Sequence, residues 1–381
     1  MSLDISKITS PTLLLDQEIC RRNIERMRQK ASSKNLKLYP HFKTHQSREV
    51  GNWCLESGID GIAVSSLKMA KYFADAGGYD DITVSFPVNI REMELINELA
   101  TKTQLTLLVT EEESAEALAK KLKYPIRIFI EVDATYHRSG LGVSEVSKIE
   151  TILKVINSNS MMELRGFYIH PGDSYHAASL EEKTSIHFAA LETLKWMKAT
   201  YGNESSECRL GDTPNCTLMN DFTGVDSIGP GNYVFYDYVQ TQIGSCRVED
   251  IAVCLAVPVV AFNRNRKEII VHGGAVHLSK DFLINEQGQK SFGLVVKINE
   301  NGWTEPVKNT FVKSLSQEHG IIEMDNFLYD NLRPGDLLGI LPVHSCLTAD
   351  AMKQYMCING RIADHLEGCS LKFGNVLKNS W

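Results

Sequence analysis

The segment Pro40-His41-Phe42-Lys43-Thr44-His45 sets a lysine between two histidines, where an apolar, strand-like run (Leu36, Leu38) gives way to a helical pattern. A lysine at the mouth of a buried strand is partly desolvated and stands among other cations. Both effects lower its pKa and free the neutral amine for Schiff-base chemistry. Taken alone, the six residues favour an ordinary lysine at a strand end; the rest of the chain reverses that balance. A second candidate is Pro342-Val343-His344-Ser345-Cys346-Leu347-Thr348-Ala349-Asp350. A spacing of two on an extended segment predicts His344 and Cys346 on one face. Imidazole and thiolate together suit Zn²⁺. No other pair completes a four-ligand structural site, so an ion held here keeps positions open for water or substrate, as a catalytic metal does. In isolation, a buried thiol beside a chance histidine is the simpler reading.

Two glycine-bearing turns add to these. Gly211-Asp212-Thr213-Pro214-Asn215 and Gly229-Pro230-Gly231-Asn232-Tyr233 each follow a short apolar run. Glycines let backbone N–H groups approach an anion, and a threonine hydroxyl can donate to it, which makes the pair a candidate phosphate site. Each alone reads equally as a tight turn. Together with a Schiff-base lysine, they point to pyridoxal phosphate. Arg138, in Asp133-Ala134-Thr135-Tyr136-His137-Arg138-Ser139-Gly140, is placed either to hydrogen-bond the cofactor's phenolate oxygen or to form a surface salt bridge. Tyr168, His170, Gly172, Tyr175 and His176 follow on one further run. There a histidine can act as acid or base near neutral pH and tyrosines can orient a ring.

The elements that must position these residues alternate in type. Candidate strands are 36–41, 61–65, 81–86, 104–109, 126–132, 163–170, 208–210 and 227–229. Between them 90–103, 111–122 and 180–201 carry apolar residues at helical spacing. In 180–201 the predicted inner face holds Ile186, Ala189, Ala190, Leu194 and Met197, and Thr110 and Ser144 are the expected caps before two further helices. Eight strands with helical crossovers in about 200 residues predict an α/β fold, a TIM-like (β/α)8 barrel. On that fold Lys43 and both glycine turns lie at the C-terminal strand ends, where active sites assemble. A doubly wound sheet gives a similar string, but the Gly-x-Gly-x-x-Gly fingerprint is absent. After about residue 245 the pattern becomes 251–262, 268–272, 293–298 and 337–341, all strand-like and separated by turn signals. The expected domains are therefore a cofactor-binding barrel over 16–243 and a smaller, mainly β domain over 244–381, joined by an N-terminal strand within 1–15.

Composition narrows the class. A chain of 381 residues, 43% hydrophobic, supports a large core plus a second domain. A net charge of −7 with no basic run argues against nucleic acid. The longest apolar stretch, 251–262, contains Pro258 and is too short to span a membrane. Nine cysteines, an odd number without a Cys-x-x-Cys pair, and an N-terminus unlike a signal peptide predict reduced thiols and a cytoplasmic location.

Over nearly its whole length the chain resembles the D-threonine aldolase and D-serine dehydratase group of fold-type III pyridoxal-phosphate enzymes, which have an alanine-racemase-like barrel. The resemblance rests on Pro40-His41-Phe42-Lys43-Thr44-His45, Gly211-Asp212-Thr213-Pro214, Gly229-Pro230-Gly231-Asn232-Tyr233, and Arg333-Pro334-Gly335-Asp336 leading to His344-Ser345-Cys346, in that order. It implies a head-to-tail homodimer, Lys43 as the Schiff-base residue, and His344 with Cys346 as ligands of a divalent ion, zinc first and manganese or magnesium as alternatives. It also implies Tyr168, Tyr175, Thr213, Gly231 and Asn232 as cofactor contacts, and places His176 where the aldolases carry a histidine that takes the β-hydroxyl proton. The chain departs from the group at Val343, at Asp350-Ala351 and at His272-Gly273-Gly274. Asp350 is thereby a candidate for the metal shell.

The expected activity is that of a metal-assisted lyase on D-3-hydroxy amino acids. Two outcomes are open: loss of hydroxide with deamination, or Cα–Cβ cleavage to glycine and an aldehyde. A racemase is the alternative enzyme, but it needs a second base on the opposite ring face, and no motif supplies one. A non-catalytic cofactor carrier is the third alternative, and it leaves the roughly 130 residues after the barrel without a role.

Overall fold

Eight apolar runs bounded by Gly, Asp and Ser fold into one parallel sheet. In the computed structural model, which describes residues 2–324 and 326–368, a strand β1 (Thr12–Leu15) precedes the eight: β2 (Lys37–Leu38), β3 (Ile62–Val64), β4 (Asp81–Pro87), β5 (Gln104–Val109), β6 (Ile126–Val132), β7 (Met162–Ile169), β8 (Glu207–Leu210) and β9 (Ser227–Ile228). They are hydrogen-bonded in the order β2-β9-β8-β7-β6-β5-β4-β3. A single bridge between His41 and Ala63 closes the ring, with the Ala63 N–H donating to Pro40 O at 2.9 Å. The strands are mostly buried because helices cover the outer face and side chains fill the interior, which is the α/β barrel expected from the rhythm.

The helices differ from expectation in detail. Leu180–Tyr201 buries Ala190, Leu191, Leu194 and Met197, yet Lys183 and His187 are buried too, while Ile186 and Ala189 are only half-buried. The packed face is therefore rotated. It accommodates the polar pair because Lys183 Nζ donates to Ala177 O at 2.9 Å and His187 Nε2 lies 2.6 Å from Asp221 O. Neither Thr110 nor Ser144 caps a helix. Glu111 and Glu145 occupy those N-caps without a capping bond, and the Glu145 carboxylate instead accepts from the Gly142 N–H at 2.8 Å. The stretch 90–103 divides into a 3-10 turn (Ile90–Glu92) and a helix (Met93–Ala100).

The second sheet is antiparallel apart from one edge pairing. Its order is Glu268–His272, His319–Glu323, Phe311–Leu315, Gly293–Asn299, Leu337–Pro342, Val253–Asn263, β1, Tyr355–Cys357 and Ile362–Ala363. Val253–Asn263 also pairs with Glu268–His272, so the sheet curls back on itself. β1 runs antiparallel to Val253–Asn263 and parallel to Tyr355–Cys357, which places the N-terminal strand in this sheet rather than in the barrel. The pair Phe311–Leu315 and His319–Glu323 was not anticipated. Its strands are five residues each, only partly buried, with a register shift, so alternation is weak. No described helix is long and apolar enough to cross a membrane.

One feature of the barrel interior escaped sequence reasoning. At the strand-entry end, the core is an ionic cluster rather than a stack of aliphatic residues. Arg209, fully buried, donates to Glu207 Oε1 through Nε (3.0 Å) and Nη2 (2.6 Å) and to Thr83 Oγ1 at 2.8 Å, and its guanidinium stacks 3.5 Å from the Tyr39 ring. Arg165 bridges Asp81 (2.7 Å) and Glu207 Oε2 (2.9 Å). Burial alone raises the pKa of Glu207, but the two guanidinium groups outweigh it and hold the carboxyl at about 2. This contribution to stability is therefore complete above the unfolded glutamate pKa of about 4.3 and is lost as pH falls from there towards 2. Arg209→Met leaves the Glu207 carboxylate buried with one cation fewer. Denaturant unfolding is expected to show a loss of about 3–5 kcal/mol, with much of it restored by adding Glu207→Gln. Equal destabilisation by the single and double variants would remove the pair as the cause.

Candidate functional site

At the opposite end of the barrel, the C-terminal strand ends surround a cavity of about 580 Å³, within the range of small-molecule sites. Lys43 enters from the 3-10 turn Phe42–Thr44 that follows β2, a turn that the His41 side chain caps by accepting from the Lys43 N–H at 3.3 Å. Its side chain lines the cavity and is exposed to it, among groups that partly desolvate the amine. That desolvation lowers its pKa; Cys346 nearby works the other way and Arg138 adds to the lowering. Arg138 sits in the loop after β6, its guanidinium 5.2 Å from the Tyr136 ring. Tyr168, near the end of β7, is buried, and burial raises its hydroxyl to about 12, so it is a hydrogen-bonding phenol rather than an acid. His170 is driven to about 3, first by burial and then by Arg138 and Lys43, and its Nδ1 meets Gly211 O. It therefore stays neutral in use. His176 stands exposed at the rim of the same cavity.

The two glycine turns close the far wall. Gly211 has no room for a side chain, since a Cβ there would lie 2.5 Å from the Tyr168 hydroxyl, and one at Gly231 would meet His41 at 3.0 Å. Behind them, Thr213 Oγ1, Asn232 Oδ1, Asp212 Oδ1 and Asn215 Oδ1 are buried without partners. Orphaned polar atoms of this kind carry a desolvation cost unless something binds them. Burial raises Asp212 to about 7, against the hydrogen bonds from Ser174 (2.5 Å) and Asn215 (2.9 Å), so its charge opposes a neighbouring anion less than a free aspartate would. A lysine of lowered pKa, the unpaired Thr213 hydroxyl beside close-packed glycines and a buried phenol fit a phosphorylated aldehyde such as pyridoxal phosphate. Lys43, Arg138, Tyr168, Tyr175, Gly231 and Asn232 line the cavity, whereas Thr213 lies just behind the wall, its N–H 3.4 Å from the Tyr175 hydroxyl.

His344 and Cys346 face the same cavity, but not as residues of a strand. The strand ends at Pro342, His344 is the N-cap of helix Ser345–Met352, and Cys346 lies in its first turn. The two meet because the helix start folds the segment back, not because of strand alternation. His344 Nδ1 lies 3.0 Å from Asp281 Oδ2, and the imidazole also hydrogen-bonds Cys346. Burial opposes charge on both residues. Their mutual hydrogen bond nevertheless raises His344 to about 10, helped by Asp237 and Asp281, and lowers the Cys346 thiol. An imidazole oriented by a carboxylate beside a thiolate-prone cysteine fits a divalent ion. Asp350 lies outside the cavity and accepts from Gln46 Nε2 at 2.9 Å. His272 is grouped with His277 and Glu318 instead.

Sequence reasoning missed Asp237 and the run Lys280–Leu283. Asp237 is fully buried and accepts from Asn232 Nδ2 (2.6 Å), the Ser345 N–H (3.0 Å) and the Gln240 N–H (3.0 Å), tying the glycine turn to the His-Ser-Cys segment. Its place just before Tyr238–Ile243 is an N-cap signal that could have been read. Lys280, Asp281, Phe282 and Leu283 reach the cavity from the connection that follows the strand Glu268–His272, and no local motif marks them.

Comparison with known proteins agrees with this geometry. A serine dehydratase domain matches residues 252–358. The D-serine dehydratase of Dictyostelium discoideum is 27% identical, the alignment covering 93% of this chain and 95% of that protein. The solved D-threo-3-hydroxyaspartate dehydratase of Delftia sp. HT23 superposes with a TM-score of 0.86 at 26% identity, covering 95% of this chain and 99% of that one. A cysteine-to-alanine variant of that dehydratase, solved in a metal-free form, gives the same TM-score at 25% identity, covering 95% of this chain and 99% of that one. Since the alanine racemase N-terminal domain matches residues 15–238, the stretch that builds the barrel and its glycine turns, the chain belongs to that family, in the branch of the D-serine dehydratases and D-threonine aldolases.

Proposed function

We propose that this protein is a pyridoxal-phosphate- and divalent-metal-dependent lyase of D-3-hydroxy amino acids, with dehydration as its principal outcome. The observation that carries this reading is the meeting of Lys43, the two glycine turns and the His344–Cys346 pair in one cavity. Bound pyridoxal phosphate supplies a sink for negative charge at the substrate Cα. A bound divalent ion supplies Lewis acidity at the substrate hydroxyl. We propose zinc as that ion, because thiolate with imidazole suits it. The resemblance to the dehydratase group further supports a homodimer, and nine cysteines without a Cys-x-x-Cys pair support reduced thiols and a cytoplasmic location.

The chain's own residues divide the remaining work. Lys43 anchors the cofactor, and its amine, whose pKa desolvation lowers, takes the α-proton. Thr213, Gly231 and Asn232 hold the phosphate, Arg138 faces the phenolate oxygen, and Tyr168 and Tyr175 set the ring. His344 and Cys346 hold the ion, with Asp281 orienting His344. The alternative outcome, Cα–Cβ cleavage, draws on His176: it is the exposed histidine of the cavity, whereas His170 is held neutral at its acid-depressed pKa of about 3.

The test is a product assay on purified protein loaded with pyridoxal phosphate and Zn²⁺ or Mn²⁺, offered D-serine, D-threonine and D-threo-3-hydroxyaspartate separately. A 2-oxo acid with ammonia establishes the dehydratase, and glycine with an aldehyde establishes the aldolase. Turnover that persists in chelator sinks the role of the metal pair, and no turnover of any of the three returns the racemase and carrier alternatives. His176→Ala is expected to lower aldol cleavage by about 10²–10⁴-fold in kcat while sparing dehydration in proportion. Equal loss of both reactions would remove His176 as the base for the hydroxyl.

A further inference from the structure

Four consecutive residues, Lys280 to Leu283, line the cavity; they run from the helix Ala275–Leu278 into a small two-stranded ladder (Leu283–Ile284 with Lys290–Ser291), and the backbone is bent to deliver them. After the short helix Ala275–Leu278, Ser279 adopts φ +83° and ψ −178°, a conformation otherwise almost confined to glycine. Strain of this kind is retained where surrounding contacts enforce it, and here they do. The Thr348 hydroxyl donates to Leu278 O at 3.2 Å, fastening the bend to the helix that carries Cys346, and the Asp281 N–H donates to Ser279 Oγ at 3.2 Å. Asp281 then meets His344 Nδ1 at 3.0 Å. Lys280 is consequently held on the metal side of the cavity.

The charges of the cavity leave Lys280 without an assigned partner. Lys43 and Arg138 arise from the barrel loops and belong to the cofactor side. Lys290, nearby, lies 4.2 Å over the Phe282 ring. Lys280 is exposed, lines the cavity and makes no ion pair among the described residues. Under the proposed function, on which this inference rests, the substrate hydroxyl is at the metal pair, so whatever else the β-carbon carries points to the segment beside Asp281. We propose that Lys280 forms a subsite for an anionic group on the substrate β-carbon, so that the substrate class is the 3-hydroxylated D-amino dicarboxylates rather than D-serine itself. A charge-assisted contact to a carboxylate is strong enough to select between the two.

The subsite can be tested without turnover. Calorimetric titration of the pyridoxal-phosphate- and zinc-loaded protein compares D-aspartate with D-alanine, neither of which carries the hydroxyl. D-aspartate is expected to bind about tenfold tighter or more, equivalent to about 1.4 kcal/mol. Lys280→Gln is expected to collapse that ratio, and Lys280→Arg to retain most of it. No preference in the unaltered protein, or equal weakening of both ligands by Lys280→Gln, overturns the proposal. If no D-3-hydroxy amino acid yields product but the affinity ratio and its loss persist, the lyase reading fails and the subsite stands.

Discussion

Lys43→Ala is expected to yield a folded protein that no longer holds pyridoxal phosphate covalently and whose lyase activity falls by about 10²–10⁴-fold or more. The size of the effect follows from the two roles proposed for one amine, as anchor and as base. Desolvation of the Lys43 amine lowers its pKa, while Cys346 opposes and Arg138 reinforces that lowering. Covalent uptake of the cofactor by the apo-protein should therefore have a midpoint below the ordinary lysine value of about 10.4. Lys43→Arg should not restore activity, because a guanidinium does not deprotonate in this range. Reductive trapping followed by peptide mapping provides the check. Label on the peptide containing Lys43 supports the assignment, and label on another lysine removes it. The turn Phe42–Thr44 is stabilised by the His41 cap and by the buried Phe42 and Thr44, so truncating Lys43 leaves the local fold intact.

Cys346→Ala is expected to empty the metal site and abolish β-hydroxyl chemistry while the cofactor absorbance remains. As the proposed ligand that also hydrogen-bonds His344, the cysteine is the one whose loss matters most. Asp281→Asn weakens only the orientation of His344 and should lower metal affinity by about 10–100-fold. Asp237→Asn should behave differently from both. Its carboxylate accepts from Asn232 of the glycine turn and from Ser345 between the two metal ligands, so the variant should weaken metal and phosphate binding together. Metal content after dialysis against graded chelator, read alongside cofactor titration, separates the three. A Cys346→Ala protein that keeps one metal per chain and full activity would place the ion elsewhere.

The parts of the fold that were legible in the sequence are those governed by short-range sterics and burial. Runs such as Gln104–Val109 and Ile126–Val132 are β-branched and apolar, and their strand bounds match the structure residue for residue. The glycine turns were equally legible, since a Cβ would clash at Gly211 and press tightly on His41 at Gly231. So was the likeness that linked Lys43 with His344 and Cys346. The caps at Thr110 and Ser144 failed for a local reason, because acidic residues next in line took the N-cap positions.

Other features depend on atoms brought together from distant stretches. Arg165, Arg209 and Glu207 look like ordinary polar residues on their strands, and only closure of the barrel turns them inward to form a paired interior cluster. His344 and Cys346 meet through the start of a helix, which replaced the strand that their spacing implied. Lys280 and Asp281 enter the cavity because a strained bend in the second sheet's connection docks against that helix. The identity of the chemistry was thus determined by residue types and their order along the chain. Which side chains complete the site was decided by tertiary packing, since such contacts join residues about 40 to 70 positions apart or more and leave no periodic trace in either segment.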